Sequence, residues 1–517
     1  MAVAGLTENN ELLLVRQFRY PYKEILLEIP AGKLEKGEDP FEAGKREFKE
    51  ECGATADNYF SLGEVYPSPG YCGEIIHLYG AAGLHFGQQH LDEGEYLDVV
   101  RMPLDEAVRR VMTGEIKDAK TAIAILKLKG TNQSMIYLDN AATTRPCPAC
   151  VAAVSSMLTD HFANPSSLHG PGIDAMKEII AARSALADAL GVERDTLTFT
   201  SGGTEANNLA LFGAAYANRR RGKRIVTTAI EHESIIQTAD QLEAELEVIR
   251  LQPDKTGNIT KQQIESAITP DTILVSVMRI NNEVGSILPV ECIRRAVQKA
   301  GAPALIHTDC VQTFGKVPLR PDKLGVDLMT VTAHKIHGPK GVGALYVRKG
   351  VRILPRTFGG EQEKKLRPGT EAAPLIAGFG AAVSALPDLR AQNAAVKELN
   401  AYTKERLAEI PGLTFNSDDQ ASPYIINICV PTFMRSQTII QELSANYGIC
   451  VSSGSACAKG KRSHVLTAMG LPEQVIDKSI RLSFSGQSTQ READAFVDAL
   501  RDLVKNTQRS NLCERSY

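Results

Sequence analysis

Residues 135–144, which read MIYLDNAATT, look like the start of a second protein inside the chain. A complete set of catalytic-type residues already lies upstream, at residues 32–54, and another is spread over residues 140–481. At 517 residues the chain is too long for one hydrophobic core and allows roughly three domains. The sequence therefore predicts two functional modules on one polypeptide, joined by a short seam.

Composition and charge exclude several classes of protein. A net charge of -3 with 23% charged residues gives no basic excess, so no nucleic-acid partner is predicted. The first ten residues carry neither a basic start nor a long apolar stretch, and no apolar run reaches transmembrane length. The ten cysteines show no disulfide-framework spacing, which is typical of a reducing cytosol. We expect a cytoplasmic α/β protein with no membrane partner.

Hydrophobic periodicity indicates how the first module is organised. Residues 1–129 contain strand-like runs at 11–18 and 75–82 and helical patterns at 40–52 and 104–112. Residues 130–134 are polar and aperiodic, so we expect them to be the linker.

The second module has a different pattern. Short β-branched runs alternate with helices over residues 135–390; they lie at 197–200, 224–228, 272–277 and 304–308. This alternation predicts a large domain with a mainly parallel sheet covered by helices on both faces. Residues 391–517 favour helices with a few strands, and we expect them to form a small α+β domain.

Three carboxylates share one face of the helix predicted at 40–52. Glu47, Glu50 and Glu51 stand at i, i+3 and i+4, so their side chains are neighbours. Like charges this close repel one another unless a divalent cation lies between them, and Mg²⁺ prefers such oxygen ligands. Arg46 can hold the carboxylates by bidentate pairing. The alternative is a solvated acidic helix face.

The wider spacing resembles the Nudix hydrolases. The pattern G-x5-E-x7-R-E-U-x-E-E-x-G-U is matched at every constrained position by Gly32, Glu38, Arg46, Glu47, Phe48, Glu50, Glu51, Gly53 and Ala54. Flanking residues 14–20, 28–32 and 68–70 resemble the ADP-ribose pyrophosphatases within that family. The resemblance implies an α/β/α sandwich that hydrolyses ADP-ribose or a related nucleoside diphosphate with Mg²⁺ or Mn²⁺.

The same resemblance implies roles for individual residues. The metal would be held by Glu47, Glu50, catalytic Glu51 and the backbone carbonyl of Ala31. A water-activating base would come from the acidic loop at residues 92–95, at Glu93 or Glu95. Family members usually carry extra N-terminal strands that build a dimer and help to hold adenosine, whereas this chain starts at the first core strand. We therefore expect weaker substrate binding, and a catalytically idle partner-binding appendage is the alternative.

A lysine, an aspartate and a glycine turn mark the second module. Lys335 stands between a small-residue strand end and a Gly-Pro-Lys-Gly turn, where a pyridoxal-phosphate Schiff base would form. Asp309, after the apolar run 304–308, is placed to pair with the pyridinium nitrogen and keep the ring an electron sink. Residues 201–205 follow a strand and open a helix, so backbone N–H groups can meet a phosphate.

Taken together and in this order, the motifs resemble the NifS-like cysteine desulfurases of the class V aminotransferase, fold-type I superfamily. The resemblance covers about residues 135–504. It implies a homodimer that converts L-cysteine to alanine and an enzyme persulfide. The sulfur would pass to an acceptor protein, for iron–sulfur clusters or thiolated products. A selenocysteine lyase and a plain aminotransferase are the alternatives within enzymes.

The resemblance also implies a set of site residues. Pyridoxal phosphate would be held by Gly203, Thr204, Asn282, Asp309, Gln312, Thr332, His334 and Lys335, with Thr370 of the partner subunit reaching its phosphate. In this set Thr204, Thr332 and His334 would bind the phosphate, while Asn282 and Gln312 would bond the polar edge of the ring. His232 would stack on the ring, and Asn164 and Arg481 would bind the substrate carboxylate. The alternative for His232 and Gln312 is a structural role as buried polar residues whose hydrogen bonds are made within the core.

Two further features bear on the chemistry. An unpaired Arg481 guanidinium would be costly unless an anion arrives. Cys457 lies in the small and cationic stretch 452–461, where Lys459 and Lys461 favour the thiolate, and it matches the persulfide-forming cysteine of the family. A mobile Cys457 argues against the plain aminotransferase. The pair Cys147 and Cys150 has redox or metal spacing but no second ligand pair, so we expect a bystander role.

Overall fold

The computed structural model of the protein describes residues 1–70, 72–91, 96–132, 135–454 and 462–514. The chain divides into two compact units, Met1–Ser134 and Met135–Tyr517. The division falls within the short polar stretch at which the sequence appeared to begin again. Within the described ranges, no helix is both long and apolar enough to cross a lipid bilayer.

The first unit is a six-stranded mixed sheet with helices on its two faces. Its strands are β1 (Ala2–Leu6), β2 (Glu11–Arg19), β3 (Glu24–Glu28), β4 (Ala54–Val65), β5 (Ile76–Phe86) and β6 (Asp98–Pro103). Its helices are α1 (Pro40–Cys52), α2 (Leu104–Met112) and α3 (Ala119–Asn132). The strand order is β3-β2-β1-β5-β4, β6 pairs with β2, and only the β1–β5 pairing among these is parallel.

Both faces of this sheet are buried, because β1 sends alternate side chains to opposite sides. Ala2 and Ala4 pack in the core that also holds residues of α2 and α3, whereas Val3 packs with Phe48 of α1. The period of two along a strand produces this division. The expected α/β/α sandwich is therefore present.

The ends of α1 are fixed by local chemistry. Asp39 accepts hydrogen bonds from the backbone N–H groups of Phe41 and Glu42, and Pro40 occupies the first turn. At the other end Gly53 takes a left-handed conformation, with φ 60°, and a Cβ there would lie 2.9 Å from the backbone of Gln88. The helix consequently spans the residues that the sequence predicted.

The linker prediction needs a correction. Helix α3 continues through Gly130 to Asn132, so the first three residues of the expected linker 130–134 are helical. The buried side chains of Ala124, Ile125 and Leu128 hold α3 against the sheet. The last turn of a helix needs only backbone hydrogen bonds. The side chains of residues 130–132 are polar or absent, so the sequence shows no hydrophobic periodicity there.

The second unit is built on a seven-stranded sheet. The first half of its elements is β7 (Ile136–Tyr137), α4 (Pro148–Thr159), α5 (Gly170–Leu190), β8 (Leu197–Thr200), α6 (Gly203–Asn218), β9 (Arg224–Thr228), α7 (Glu233–Leu242), β10 (Glu247–Leu251), α8 (Lys261–Ala267), β11 (Thr272–Ser276) and α9 (Ile293–Lys299). The remainder is β12 (Leu305–Asp309), α10 (Pro321–Leu324), β13 (Leu328–Thr332), β14 (Gly343–Val347), α11 (Ala373–Ser384), α12 (Leu389–Ala408), β15 (Thr414–Phe415), β16 (Ile425–Cys429), α13 (Ser436–Tyr447), β17 (Ile449–Cys450), α14 (His464–Ala468), α15 (Glu473–Ile476), β18 (Ser479–Ser483) and α16 (Gln490–Glu514).

The large sheet has the order β10-β9-β11-β12-β13-β14-β8. Its strands run parallel except β14, which is antiparallel to both of its neighbours. The carboxyl ends of β8, β9, β11, β12 and β13 therefore meet at one edge. In open sheets of this kind, ligands bind outside that edge.

A second core lies in the C-terminal part of this unit. The antiparallel sheet β15-β16-β18 packs with α12, α13 and α16 around residues such as Ile426, Leu482 and Phe496. Strand β7 pairs with β17, and Leu138 is buried in this same core. The segment from residue 135 was expected to belong to the large domain, but it packs here instead, because its backbone ladder and its apolar side chains are completed by residues about 300 positions later.

Candidate active sites

A cavity of about 270 Å³ lies at the carboxyl edge of the large sheet. Ten of the predicted site residues line it: Gly203, Thr204, His232, Asn282, Asp309, Gln312, Thr332, His334, Lys335 and Arg481. They come from six separate parts of the chain, and all but Arg481 follow or end strands whose carboxyl ends share this edge. The parallel topology is what brings them together.

Lys335 reaches the wall of the cavity from the turn that follows β13. Its Nζ donates to the carbonyl oxygen of Ala142 at 2.7 Å and also to that of Ala141. The turn is closed by hydrogen bonds from the N–H groups of Ile336 and Gly338 to the Ala333 carbonyl. The amine is thus held at the cavity by backbone oxygens.

Asp309 ends β12 as a buried carboxylate. It is 5% exposed and accepts hydrogen bonds from Asn207 Nδ2 at 2.7 Å and from the Val311 N–H at 2.9 Å. No cation in the described part of the chain pairs with it. A buried carboxylate with neutral partners alone is costly, so the position suits a ligand that brings a positive group.

The start of α6 forms one end of the cavity. Gly202 precedes the helix with φ 147°, and no side chain caps the helix start. Gly203 and Thr204, in the first turn, line the cavity. The backbone N–H groups of a first turn have no partner within the helix, and together with the helix dipole they attract anions. This end of the cavity therefore suits a phosphate.

Two of the three histidines that line the cavity, His232 and His334, are neutral at pH 7. Burial lowers the pKa of His232, and its Nδ1 accepts a hydrogen bond from the Ser234 N–H at 3.1 Å, which leaves the ring proton on Nε2. Burial, with the Lys335 charge, lowers the pKa of His334 to about 4. Its Nδ1 lies 3.3 Å from Thr143 Oγ1. Both rings can therefore bind or stack on a ligand without adding charge.

Arg481, the predicted ligand of the substrate carboxylate, already has an acidic partner within the chain. Its guanidinium lies 2.7 Å from Asp139 Oδ1 and donates to the carbonyl oxygens of Asn282 and Gly454, each at 2.7 Å. The carboxylate comes from the segment after β7, which runs beside β18. The Nε atom of Arg481 remains buried without a partner among the described residues. An incoming anion could thus accept a hydrogen bond from Nε and would compete with Asp139 at Nη2, while Nη1 stays bonded to the two carbonyl oxygens.

The carboxylates of the first unit lie around Arg46. Its guanidinium contacts Glu47 Oε1 at 3.1 Å and Glu50 Oε2 at 2.9 Å. Its hydrogen bond to Glu38, at 3.1 Å, leads the interactions that raise the pKa of Arg46. Glu51 is 5% exposed, and its Oε2 accepts the Ala31 N–H at 3.1 Å. Arg46 therefore balances part of the acidic charge on this helix.

The loop before α1 lies directly against the acidic face. A Cβ on Gly32 would lie 2.0 Å from the Glu47 carboxylate, so a larger residue there would displace that carboxylate from its position. Ala31 and Gly32 are thereby held beside Glu47 and Glu51. In the described residues, no three His, Cys, Asp or Glu side chains already converge as a metal cage. The donor set nevertheless suits Mg²⁺, which binds few protein carboxylates and keeps its other ligands from water and substrate phosphates.

Comparison with known proteins identifies both units. Residues 136–496 match the family described as Aminotransferase class-V, and residues 1–122 match the NUDIX domain. The cysteine desulfurase IscS of Methanosarcina thermophila is 38% identical over 393 residues, covering 75% of this chain and 96% of that protein. The chain belongs to the cysteine desulfurase family of class V aminotransferases. A NUDIX domain is fused to its N-terminal side.

Further relatives support the same family membership. The cysteine desulfurase of Nostoc sp. (strain PCC 7120) is 39% identical over 379 residues, covering 72% of this chain and 93% of that protein. A solved NifS-like protein is 35% identical with a TM-score of 0.67, covering 72% of this chain and 99% of its own. The NifS-like protein from Rickettsia africae ESF-5 is 32% identical with a TM-score of 0.63, covering 71% and 99%. The expected fold-type I architecture is confirmed.

Several predicted residues lie outside the cavity of this desulfurase-family unit. Asn164 is exposed, and its Oδ1 accepts the Ser166 N–H at 2.9 Å. Thr370 is also exposed. Cys457, Glu93 and Glu95 fall outside the described residues.

Other cavity residues were missed by the sequence analysis. Asn207, which holds Asp309, lies one helical turn after Gly203, so the helical period could have placed it beside the predicted phosphate site. Glu283 and His464 also line the cavity. Burial raises the pKa of Glu283, and its Oε2 accepts a hydrogen bond from Ser463. No local signal marks these last two, because their burial depends on residues far away in the chain.

Proposed function

We propose that the second unit is a pyridoxal-phosphate-dependent L-cysteine desulfurase. The main support for this proposal is that the buried Asp309, Lys335 and the uncapped start of α6 all line one cavity. These groups fit the ring nitrogen, the aldehyde and the phosphate of pyridoxal phosphate. When bound, the cofactor would supply an electron sink for the carbanion at the substrate Cα.

The residues of this chain would bind the cofactor, move the proton and orient the substrate. Asp309 would keep the ring nitrogen protonated, and the first turn of α6, with Thr332 and His334, would bind the phosphate. Lys335 Nζ would move the α-proton. Arg481, through its free Nε and by exchange with Asp139, would orient the substrate carboxylate.

Sulfur transfer would fall to Cys457. Its thiolate would attack the substrate sulfur; a sulfur–sulfur bond forms as the carbon–sulfur bond breaks, which leaves a persulfide on Cys457 and, after protonation, alanine. The persulfide sulfur would then pass to an acceptor protein, with iron–sulfur cluster assembly as a destination. The position of Cys457 in the sequence and the family relationship support this step.

Incubation of the cofactor-loaded protein with L-cysteine tests the proposal. We expect alanine and a stoichiometric persulfide from L-cysteine. Amino-group transfer to a keto acid without persulfide would establish an aminotransferase instead. A strong preference for L-selenocysteine would establish a selenocysteine lyase.

We further propose that this unit acts as a homodimer. Apolar side chains on α4, α5 and the segment between them are exposed: Val151, Leu158, Phe162, Leu168, Ile173 and Ile180. Exposed apolar side chains in this number favour burial against another chain. The exposed position of Thr370 supports its proposed role in the phosphate site of a partner subunit.

For the first unit we propose a Mg²⁺-dependent diphosphatase that acts on ADP-ribose or a related nucleoside diphosphate. The clustered carboxylates of α1 and the adjoining Ala31–Gly32 backbone support it. The ion would be held by Glu47, Glu50, Glu51 and the Ala31 carbonyl, and would neutralise charge on the diphosphate. Glu93 or Glu95 would activate the water.

A phosphate-coupled assay of the whole chain against ADP-ribose and related diphosphates tests this second activity. Hydrolysis that disappears when Mg²⁺ is chelated and returns when Mg²⁺ or Mn²⁺ is added would support it. A folded protein that hydrolyses none of these compounds would favour a partner-binding appendage.

A further inference from the structure

Lys316 is a fully buried lysine beside the cofactor cavity. It is 4% exposed, and its Nζ donates to Gln312 Oε1 at 2.8 Å. Its Nζ also lies 5.4 Å from the centre of the Tyr424 ring. In the described part of the chain no carboxylate pairs with it, and burial lowers its pKa to about 7. A lysine is rarely buried in this way without an acidic partner, so its single side-chain hydrogen bond calls for an explanation.

That hydrogen bond fixes which way round the Gln312 amide lies. The Ala141 carbonyl on the far side of the amide can only accept a hydrogen bond, so the carbonyl oxygen of Gln312 must face Lys316, whose amine donates to it. On its other side Gln312 Nε2 donates to the Ala141 carbonyl oxygen at 2.9 Å. A flipped amide would place N–H against the amine and oxygen against oxygen. Lys316 and Ala141 therefore hold a single amide orientation from two sides.

The same contacts connect Lys316 to the reacting lysine. The Ala141 carbonyl that accepts from Gln312 also accepts from Lys335 Nζ. Gln312 and Lys335 both line the cofactor cavity. With one N–H of Nε2 used by Ala141, the second N–H of Gln312 remains for a ligand in that cavity. The amide thus presents a donor and not an acceptor to whatever binds there.

We propose that Lys316 is a positioning residue, which holds Gln312 so that an N–H donor faces the polar edge of bound pyridoxal phosphate. This inference rests on the proposed function, and in particular on Gln312 bonding the ring oxygen. A hydrogen-bond donor at the ring oxygen stabilises the negative charge on that oxygen. The oxygen then attracts the proton on the nitrogen that joins Lys335 to the cofactor less strongly, so the pKa of that nitrogen falls. An amide free to turn would present an oxygen and have the opposite effect.

The test is a pH titration of the visible absorbance of the cofactor-loaded protein without substrate. In Lys316→Met we expect the midpoint to rise by about half to one pH unit, the size of one lost hydrogen bond. In Gln312→Leu we expect a similar rise. Adding Lys316→Met to Gln312→Leu should then change nothing further, because Lys316 acts through Gln312. Equal shifts in the two backgrounds, or no shift in Lys316→Met, would overturn the inference.

Lys316→Arg provides the matched control. Lys316 also lines a second cavity of about 270 Å³, which leaves room for a guanidinium that still donates to Gln312. We expect Lys316→Arg to titrate near the parent value, and a shift as large as that of Lys316→Met would count against positioning through the hydrogen bond. Thermal midpoints show that each variant is folded, and if Lys316→Met does not fold, Lys316→Gln replaces it in the same cycle. A parent protein that binds no pyridoxal phosphate would instead refute the proposed function.

Discussion

Burial shifts the ionisable side chains around the cavity toward their neutral forms. It raises the pKa of Glu231 to about 8 and lowers those of Lys316 and His334 to about 7 and 4. Removing a charged group from water disfavours the ion in each case, whatever its sign. Arg481 differs from these groups in having an oppositely charged partner, Asp139, at 2.7 Å.

Glu231 makes this effect measurable. Its Oε1 accepts hydrogen bonds from Thr228 Oγ1 and the Met278 N–H, while Oε2 is buried without a partner in the described part of the chain. The folded protein keeps the proton up to about pH 8, whereas the unfolded chain loses it near 4.5, the ordinary pKa of a glutamic acid. Its contribution to stability is therefore fully present below pH 4.5 and is lost as the pH rises through 8.

Glu231→Gln, which imitates the protonated acid, should abolish that pH dependence. Between pH 5.5 and 8.5 we expect the melting temperature of the parent to fall by roughly 2 °C or more relative to the variant. Calorimetry of both cofactor-loaded proteins at the two pH values measures the difference. Parallel curves for parent and variant would show that Glu231 ionises normally in the folded state.

Lys335 and Cys457 have different proposed roles, attachment of the cofactor and transfer of sulfur, so substitutions can test the two roles separately. Lys335→Ala should abolish the visible absorbance of bound cofactor, since Lys335 supplies the amine in the cavity. Cys457→Ser should keep that absorbance but stop persulfide formation. Lys349→Ala is the control, because Lys349 is exposed and pairs with Glu193 at the surface. Alanine and sulfide formed by Cys457→Ser at the parental rate would show that Cys457 is not the nucleophile.

The proposed metal site of the first unit depends on the spacing of the carboxylates along helix α1. The Asp39 cap and the left-handed Gly53 fix where it begins and ends, and the spacing of Glu47, Glu50 and Glu51 then fixes their shared face. Arg46 neutralises part of this charge before any ion binds. A charge change on this face should therefore affect metal binding more than folding.

Glu51→Gln tests that expectation. The change keeps the size of the side chain but removes a charge from the proposed Mg²⁺ site, so we expect diphosphate hydrolysis to fall by about 100-fold or more. Glu42→Gln, an exposed change on the same helix, should leave hydrolysis unchanged. Activity and melting temperature are measured for both. Equal activities of the two variants would show that Glu51 is not a ligand of the catalytic metal ion.

Each unit of the whole molecule has its own sheet and its own core. Family membership assigns a desulfurase-type second unit and a NUDIX first unit. The exposed apolar side chains of α4 and α5 then predict how the second unit associates. Light scattering should give the mass of a dimer.

Leu158→Glu, on exposed α4, should weaken that dimer and, with it, cofactor retention, because a charge on an apolar interface is poorly tolerated. Met112→Glu introduces the same charge at an exposed position of the first unit and should leave the mass unchanged. Scattering mass and bound cofactor are read from the same samples. A parent that is monomeric and fully active would contradict the prediction.

The sequence by itself determined the features that depend on neighbours in the chain. The bounds of α1 and α2, the strands 197–200 and 224–228, and the face shared by the α1 carboxylates all follow from spacing and capping within one element. The ten cavity residues were also predictable, because their motifs carry the family pattern and strand ends of a parallel sheet meet at one edge.

The tertiary structure decided what depends on contacts between distant residues. Asp139 pairs with Arg481 across more than 340 positions, β7 completes β17, and Lys316 is buried beside Gln312 where its sequence would suit a surface lysine. Helix α3 likewise extends past the predicted linker start. Periodicity and motifs describe one segment at a time, whereas burial and ion pairing depend on which segments meet, and only the packed chain determines that.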